Sequence, residues 1–169
     1  MFGDYQRCRL IAYSAAFIGL IALGSWISIP VGNIPFTLQT LFVLLAGIIM
    51  HRNGAIPVLS YVILGALGLP LFHNGMAGIG VLLGPTGGYL IGFVFAALVA
   101  GLAYEHTSRI IRVFGLIGAT LVIYLFGLAW LMYSLQLEFS AAVITGVLPF
   151  LPGCALKAAV AYLIGERLL

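Results

Sequence analysis

The chain has 169 residues, of which 63% are hydrophobic and 7% are charged, whereas about a quarter of the residues in a soluble domain are charged. The formal net charge of +3 comes from scattered residues, which excludes the basic patch of a nucleic-acid-binding surface. Three runs lack Asp, Glu, Lys and Arg and are longer than a soluble core helix needs; they cover residues 10–51, 53–104 and 113–137. This pattern indicates an all-α polytopic membrane protein.

Six membrane-spanning helices fit these runs in chain order. The first has basic residues before it, as a signal peptide has, but its apolar part of about twenty residues is too long for a typical one. We therefore expect an uncleaved helix, which Pro30 and Pro35 separate from the next. The predicted helices cover residues 10–29, 36–50, 55–69, 85–104, 109–133 and 151–168, with a short interfacial helix within 135–149.

The second and third predicted helices are short, since about fifteen residues rise only about 22 Å. Either they extend into the flanking turns or the bilayer thins around them. A re-entrant hairpin is the alternative for this pair. Because no linker or charge run divides the chain, residues 1–169 are expected to form one integral membrane domain.

The basic residues predict the orientation, because Lys and Arg accumulate in cytoplasmic loops. The predicted outer loops near residues 30–35, 70–84 and 134–150 contain neither Lys nor Arg. With the N- and C-termini in the cytoplasm, six of the seven basic residues lie inside. These are Arg7, Arg9, Arg52, Arg109, Arg112 and Arg167.

The seventh, Lys157, stands in an otherwise apolar stretch of the last helix. Ionisable groups in membrane helices are costly and usually face the bundle interior or a wet cavity. The other acids are predicted on the cytoplasmic side, so only Glu138 in an outer loop could pair with Lys157. A bound anion is the other partner to consider. The alternative is that the lysine snorkels to the outer surface.

The pattern of polar residues also excludes some chemistry. A nucleotide-binding P-loop needs Gly-Lys-Ser or Gly-Lys-Thr, but the one lysine of the chain follows Leu156. ATP-driven transport would therefore require a partner. No carboxylate pair lies at membrane depth, and no Gly-x-Ser-x-Gly motif occurs, which argues against a membrane-embedded enzyme.

The Gly-rich loop 70–84 is longer than a minimal turn, and long loops on compact scaffolds are often lids or binding loops. The helix after it opens with Thr86 and Tyr89, where a helix N-terminus favours anions. An ordinary flexible connector is the alternative.

Small residues on the first helix form two small-xxx-small steps, Ala12 with Ala16 and Ala15 with Gly19. Such steps let helices pack closely. Cys8 is predicted near the cytoplasmic face and Cys154 near the outer face, so no disulfide is expected between them.

Three segments resemble motifs of the BioY family, in the family's order and spacing. They are Ile34-Pro35-Phe36-Thr37-Leu38-Gln39-Thr40-Leu41, Gly84-Pro85-Thr86-Gly87-Gly88-Tyr89-Leu90-Ile91-Gly92, and Gly146-Val147-Leu148-Pro149-Phe150-Leu151-Pro152-Gly153 followed by Lys157. BioY proteins are the biotin-specific S components of energy-coupling factor (ECF) transporters. The resemblance covers nearly the whole chain.

The resemblance implies a six-helix S-component fold in the cell membrane, with biotin as transported ligand and neither an enzymatic activity nor a cofactor. It also implies partners, namely a transmembrane T component, which Ala12 and Ala16 would contact, and cytoplasmic ATPase subunits. The lipid bilayer, which surrounds the spanning helices, is a further partner. The substrate-binding residues that we expect are Phe36, Gln39, Asn74, Gly75, Thr86, Tyr89, Cys154 and Lys157.

One departure from the family concerns Cys154, because the family usually has Asp at this position, three residues before the lysine. Residues i and i+3 share a helix face, so the substitution removes a polar partner of Lys157. The alternatives are an S component or solitary facilitator for a different small vitamin, or a membrane-embedded enzyme.

Overall fold

Helices make up most of the chain, and the computed structural model describes residues 2–31 and 34–168 of it. In a bilayer each backbone amide needs a partner within the protein, and a helix provides these partners within one segment. The helices are α1 Phe2–Trp26, α2 Gln39–Met50, α3 Ala55–Ala66, α4 Ile79–Leu83, α5 Gly87–Tyr104, α6 Arg109–Leu135, α7 Phe139–Gly146 and α8 Leu151–Leu168. Short 3₁₀ turns cover His51–Gly54, His73–Gly75 and Leu148–Phe150.

The six predicted helices correspond to α1, α2, α3, α5, α6 and α8, so this prediction is confirmed. Among the described residues, five helical segments are long and apolar enough to cross a membrane, and α2 and α3 together form one of them. The expected short helix is α7, and the loop predicted over 70–84 contains the short helix α4.

The α2–α3 pair extends along the whole length of α5. At one end Gln39 shares a cavity with Thr86, which precedes α5. At the other end the turn between α2 and α3 places Arg52 on Glu105, which follows α5. The pair therefore extends from one end of α5 to the other, which favours two crossing helices over a re-entrant hairpin.

A β-hairpin replaces the helix ends that we predicted on either side of Pro30 and Pro35. Strands β1 Ser28–Val31 and β2 Ile34–Thr37 pair in antiparallel fashion, with Pro30 opposite Pro35. Neither proline has an N–H to donate, so facing them leaves no donor unpaired. The predicted helix bounds of 29 and 36 are wrong here, and Phe36 and Thr37 are held by a strand.

α5 forms the centre of the bundle. In its apolar stretch 67% of the residues are buried, whereas the corresponding share in α6 is 28%. Glycines allow the closest helix contacts around it. A Cβ on Gly47 of α2 would collide with the carbonyl oxygen of Ala97, and one on Gly101 with that of His51. α2 and α5 therefore pack backbone to backbone, which fixes the walls of the cavity described below.

The arginines gather at one end of the bundle. Arg52 pairs with Glu105 at 2.6 Å, and Arg112 pairs with Glu166 at 2.7 Å. The hydrogen bonds from Arg52 hold the pKa of Glu105 at about 2, below its ordinary value of 4.5. Arg9 joins them, because it lines a groove with His51 of the α2–α3 turn. Lys157 lies in the opposite half of α8, next to the cavity.

Candidate ligand-binding site

A cavity of about 60 Å³ lies at the end of the bundle opposite the arginine pairs. Strand β2 and parts of α2, α5, α6 and α8 surround it, so residues far apart in sequence meet there. Six of the sequence-predicted site residues line it, namely Phe36, Gln39, Thr86, Tyr89, Cys154 and Lys157. Further lining residues that sequence reasoning missed include Thr37, Thr40, His73, Phe93, Tyr124 and Phe150.

Lys157 is buried, with 6% of its surface exposed, and therefore does not snorkel. Its Nζ donates a hydrogen bond of 2.6 Å to the Thr37 carbonyl oxygen and lies 3.7 Å from the centroid of the Phe36 ring. A cation over an aromatic face is attracted by the electron-rich ring. Among the described residues no carboxylate lies within ion-pair distance of Lys157, so strand β2 supplies its present partners.

Gly153 provides the space that the Phe36 ring occupies. A Cβ at Gly153 would collide with this ring, so the Pro-Gly step at the start of α8 admits an aromatic side chain from the hairpin. Phe36 also stacks on Phe150, with ring centroids 6.1 Å apart. Two distant sequence motifs therefore meet as one aromatic wall beside the lysine.

A chain of buried hydrogen bonds joins the cavity to the loop after α3. Thr37 Oγ1 donates to Gln39 Oε1 at 3.0 Å, and Gln39 Nε2 donates to the Tyr61 hydroxyl at 2.6 Å. The Tyr61 hydroxyl in turn donates to the Leu71 carbonyl oxygen at 2.9 Å, which also accepts from Ser25. Satisfied networks of this kind are rigid in a low-dielectric interior. Gln39 is therefore a positioned side chain.

Tyr89 and Thr86 lie at the α5 side of the cavity. The Tyr89 hydroxyl donates to the Gly146 carbonyl oxygen at 2.8 Å, and its ring covers Gly127, where a Cβ would collide with it. Thr86 Oγ1 lies 3.5 Å from the Val81 carbonyl oxygen, at the outer limit of a hydrogen bond. Tyr89 is thus fixed by its neighbours, whereas the Thr86 hydroxyl is weakly held.

Asn74 and Gly75 do not line the cavity, and His73 does. Asn74 is exposed and accepts a hydrogen bond of 2.6 Å from Ser28 of β1. Both Asn74 and Gly75 have positive φ, which shapes the turn and directs Asn74 towards the hairpin. Burial lowers the pKa of His73, so the residue of this loop that reaches the cavity favours its neutral form. Ligand contacts of Asn74 and Gly75 stay a prediction.

The loop after α3 is anchored rather than free. Phe72 is wholly buried, fills the space over Gly65 and meets Tyr61 edge to face with ring centroids 5.6 Å apart. The Trp26 indole donates to the Pro70 carbonyl oxygen at 3.2 Å. These contacts hold His73 against the cavity.

The outer face of α1 carries the predicted contact residues Ala12 and Ala16, and both are exposed. An added Cβ on Gly19, one turn further, would meet no atom within 4 Å. This side of α1 is therefore a smooth strip of small residues that another helix could approach closely.

Comparisons with known proteins agree with one another. The sequence profile described as "BioY family" matches residues 4–169. "Probable biotin transporter BioY" of Pyrococcus horikoshii is 42% identical over 164 residues, which cover 96% of this chain and 98% of that protein. "Biotin transporter BioY" of Thermotoga maritima is 40% identical over 95% of this chain and 95% of that protein.

A solved structure has the same fold. The crystal structure of the S-component for biotin from an ECF-type ABC transporter superimposes with a TM-score of 0.89 at 24% sequence identity. The superposition covers 98% of this chain and 93% of that chain. The prediction of an S-component fold is therefore confirmed.

Proposed function

The chain belongs to the BioY family, and from this premise we propose that it binds biotin and takes it up across the cell membrane as a multi-pass membrane protein. The observation that carries this proposal is the buried Lys157, which faces a cavity and has no carboxylate partner among the described residues. Biotin is then the cargo, and the protein acts as a binding subunit, without catalysis or a cofactor.

The chemistry of biotin matches the composition of the cavity. Biotin has a carboxylate, a ureido group and an apolar thiophane ring, so its site needs a cation or donor, amide-matching groups and apolar walls. Lys157 would bind an oxygen of biotin, on the carboxylate or the ureido carbonyl. Phe36 and Tyr89 would supply wall, while Gln39 and Thr86 would supply polar contacts.

The present cavity is too small for this ligand. Ligand pockets have volumes of roughly 300–1,000 Å³, against about 60 Å³ here. Phe36 and the Thr37 carbonyl occupy the space around the lysine head group. Binding would therefore move β2 away from α8 and exchange the Thr37 oxygen for an oxygen of biotin.

The hairpin and the loop after α3 would move together as a lid. Ser28 of β1 donates to Asn74 of the loop, so the two segments are joined above the cavity. Asn74 and Gly75 do not line the cavity, so they would enter the site only through this movement. In an open lid, their polar groups would be free to contact biotin.

Release of biotin into the cell would depend on partners. The chain has no Gly-Lys-Ser or Gly-Lys-Thr motif, so ATPase subunits must supply the energy of ATP hydrolysis. We place the transmembrane T component against the exposed face of Ala12 and Ala16. Together with these partners, residues 1–169 would act as a single substrate-binding domain of an ECF module.

The cavity would open outwards, with both termini in the cytoplasm. The support is the gathering of Arg9, Arg52 and Arg112 at the end opposite the cavity. Cys8 lies exposed near the N-terminus of α1, whereas Cys154 is buried. A membrane-impermeant maleimide should label Cys8 in inverted vesicles and leave it unlabelled in intact cells. Labelling from the outside of intact cells would reverse the orientation.

Uptake in cells that lack their own biotin importer tests the function. Cells that express this chain together with its ECF partners should accumulate labelled biotin, and excess unlabelled biotin should abolish the signal. Thiamine, riboflavin or pantothenate at the same excess should leave it unchanged, because they do not present a carboxylate and a ureido group at biotin's spacing. Absence of labelled-biotin accumulation, or its abolition by another vitamin, would contradict the proposal.

A further inference from the structure

Three buried side-chain hydroxyls have no hydrogen-bond partner among the described residues, on Ser14, Tyr104 and Tyr124. A buried polar group without a partner is costly, and such groups are rare in folded proteins. Of the three, only Tyr124 lines the cavity beside Lys157. Its side chain is 7% exposed, so bulk water does not provide the missing partner.

The surroundings of Tyr124 offer it little within the protein. Its hydroxyl lies against the thiol of Cys154 and near Tyr89, which also line the cavity. A thiol is a weak hydrogen-bonding group, and the Tyr89 hydroxyl already donates to the Gly146 carbonyl oxygen. Apart from this thiol, the Tyr124 hydroxyl meets no hydrogen-bonding group among the described residues, so it can serve a ligand at the cavity wall.

We propose that the Tyr124 hydroxyl is a ligand-binding group that hydrogen-bonds the ureido group of biotin. A phenol hydroxyl can donate to a carbonyl and accept from an N–H, and a ureido group offers both. The carboxylate is a poorer match, because an ionised carboxylate only accepts hydrogen bonds and would use the donor of the hydroxyl alone. This inference rests on the proposed biotin site and adds a recognition residue on α6, which carries none of the three family-like segments.

The test compares two phenylalanine variants of the purified full-length chain. Tyr124→Phe should weaken biotin binding about three- to tenfold, the effect of one neutral hydrogen bond. Tyr104→Phe is the matched control, since it also removes a buried hydroxyl that has no partner within residues 2–31 and 34–168, but it lies outside the cavity. It should leave biotin affinity unchanged. Without biotin, neither variant should unfold at a lower temperature than the wild type.

The methyl ester of biotin, titrated in parallel, identifies the group that Tyr124 contacts. The ester lacks the anionic carboxylate and keeps the ureido group, so Tyr124→Phe should weaken both ligands by the same factor. A loss confined to biotin would overturn the ureido assignment. If the wild type binds biotin and the affinity of Tyr124→Phe differs from it by less than twofold, Tyr124 has no role in binding. Failure of the wild type to bind biotin would instead reject the proposed function.

Discussion

Lys157→Met is expected to weaken biotin binding about ten- to hundredfold, because a charge-assisted hydrogen bond worth roughly 1.5–3 kcal/mol is lost. Methionine keeps most of the apolar stem but removes the ammonium group that lies over the Phe36 ring. The variant should still fold, since removing a buried charge offsets the loss of the bond to the Thr37 carbonyl oxygen. Titration of the purified variant with biotin measures the affinity, and thermal unfolding without biotin measures the stability.

Two further variants control this experiment. Arg167→Met removes a cation from the last turn of the same helix, at the end away from the cavity, and should not change biotin affinity. Cys154→Asp places a carboxylate one helical turn from Lys157, and should be tolerated and tighten binding if both side chains share the ligand. A biotin affinity of Lys157→Met within about threefold of the wild type would remove the lysine from the site.

Ala12→Trp combined with Ala16→Trp is expected to reduce biotin uptake at least tenfold and to leave biotin binding within about twofold. Both alanines are exposed on α1 and do not line the cavity. Two indole rings would hold a partner helix away from a surface that now permits close approach. Uptake in cells with the ECF partners and titration of the purified variant measure the two effects.

The control for added aromatic bulk is Leu163→Trp, because Leu163 is exposed on the apolar surface of α8. This variant should take up biotin as the wild type does. If the α1 variant loses both biotin binding and biotin uptake, Ala12 and Ala16 serve the fold of the chain. Normal uptake in that variant would remove this face of α1 from the partner interface.

The helices could be predicted because the bilayer imposes a simple rule on the sequence. A spanning helix must be apolar over about twenty residues, and the runs between Arg9 and Arg52 and between Arg52 and Glu105 are each long enough for two. The bounds of α8, Leu151–Leu168, agree with the prediction. One wall of the cavity could also be predicted, because the segments that carry the family-like motifs meet there in the structure.

The β-hairpin could not be predicted in the same way. Its strands have four residues each and contain Pro30 and Pro35, which disfavour a strand when each segment is read alone. Their stability comes from pairing with each other and from the packing of Phe36 over Gly153, a contact between residues more than a hundred positions apart. Sequence reasoning therefore assigned Phe36 to a helix by mistake, although it correctly predicted that Phe36 lines the cavity.

Two features of the site could not be predicted from the sequence, namely the burial of Lys157 and the position of Tyr124. The position of Lys157 marked it as important, but burial or snorkelling depends on the path of its long side chain, which the structure fixes against Thr37. Tyr124 stands in the apolar sequence of α6 without a motif around it. Only the packing of α6 and α8 on the cavity reveals that its hydroxyl has no partner there.

Titration calorimetry of the purified chain with biotin tests the central claim most directly, because it needs neither the ECF partners nor transport. The account predicts saturable binding of one biotin per chain, with no heat of binding from thiamine, riboflavin or pantothenate under the same conditions. Absence of binding by biotin, or saturable binding of one of the other vitamins in its place, would contradict the account.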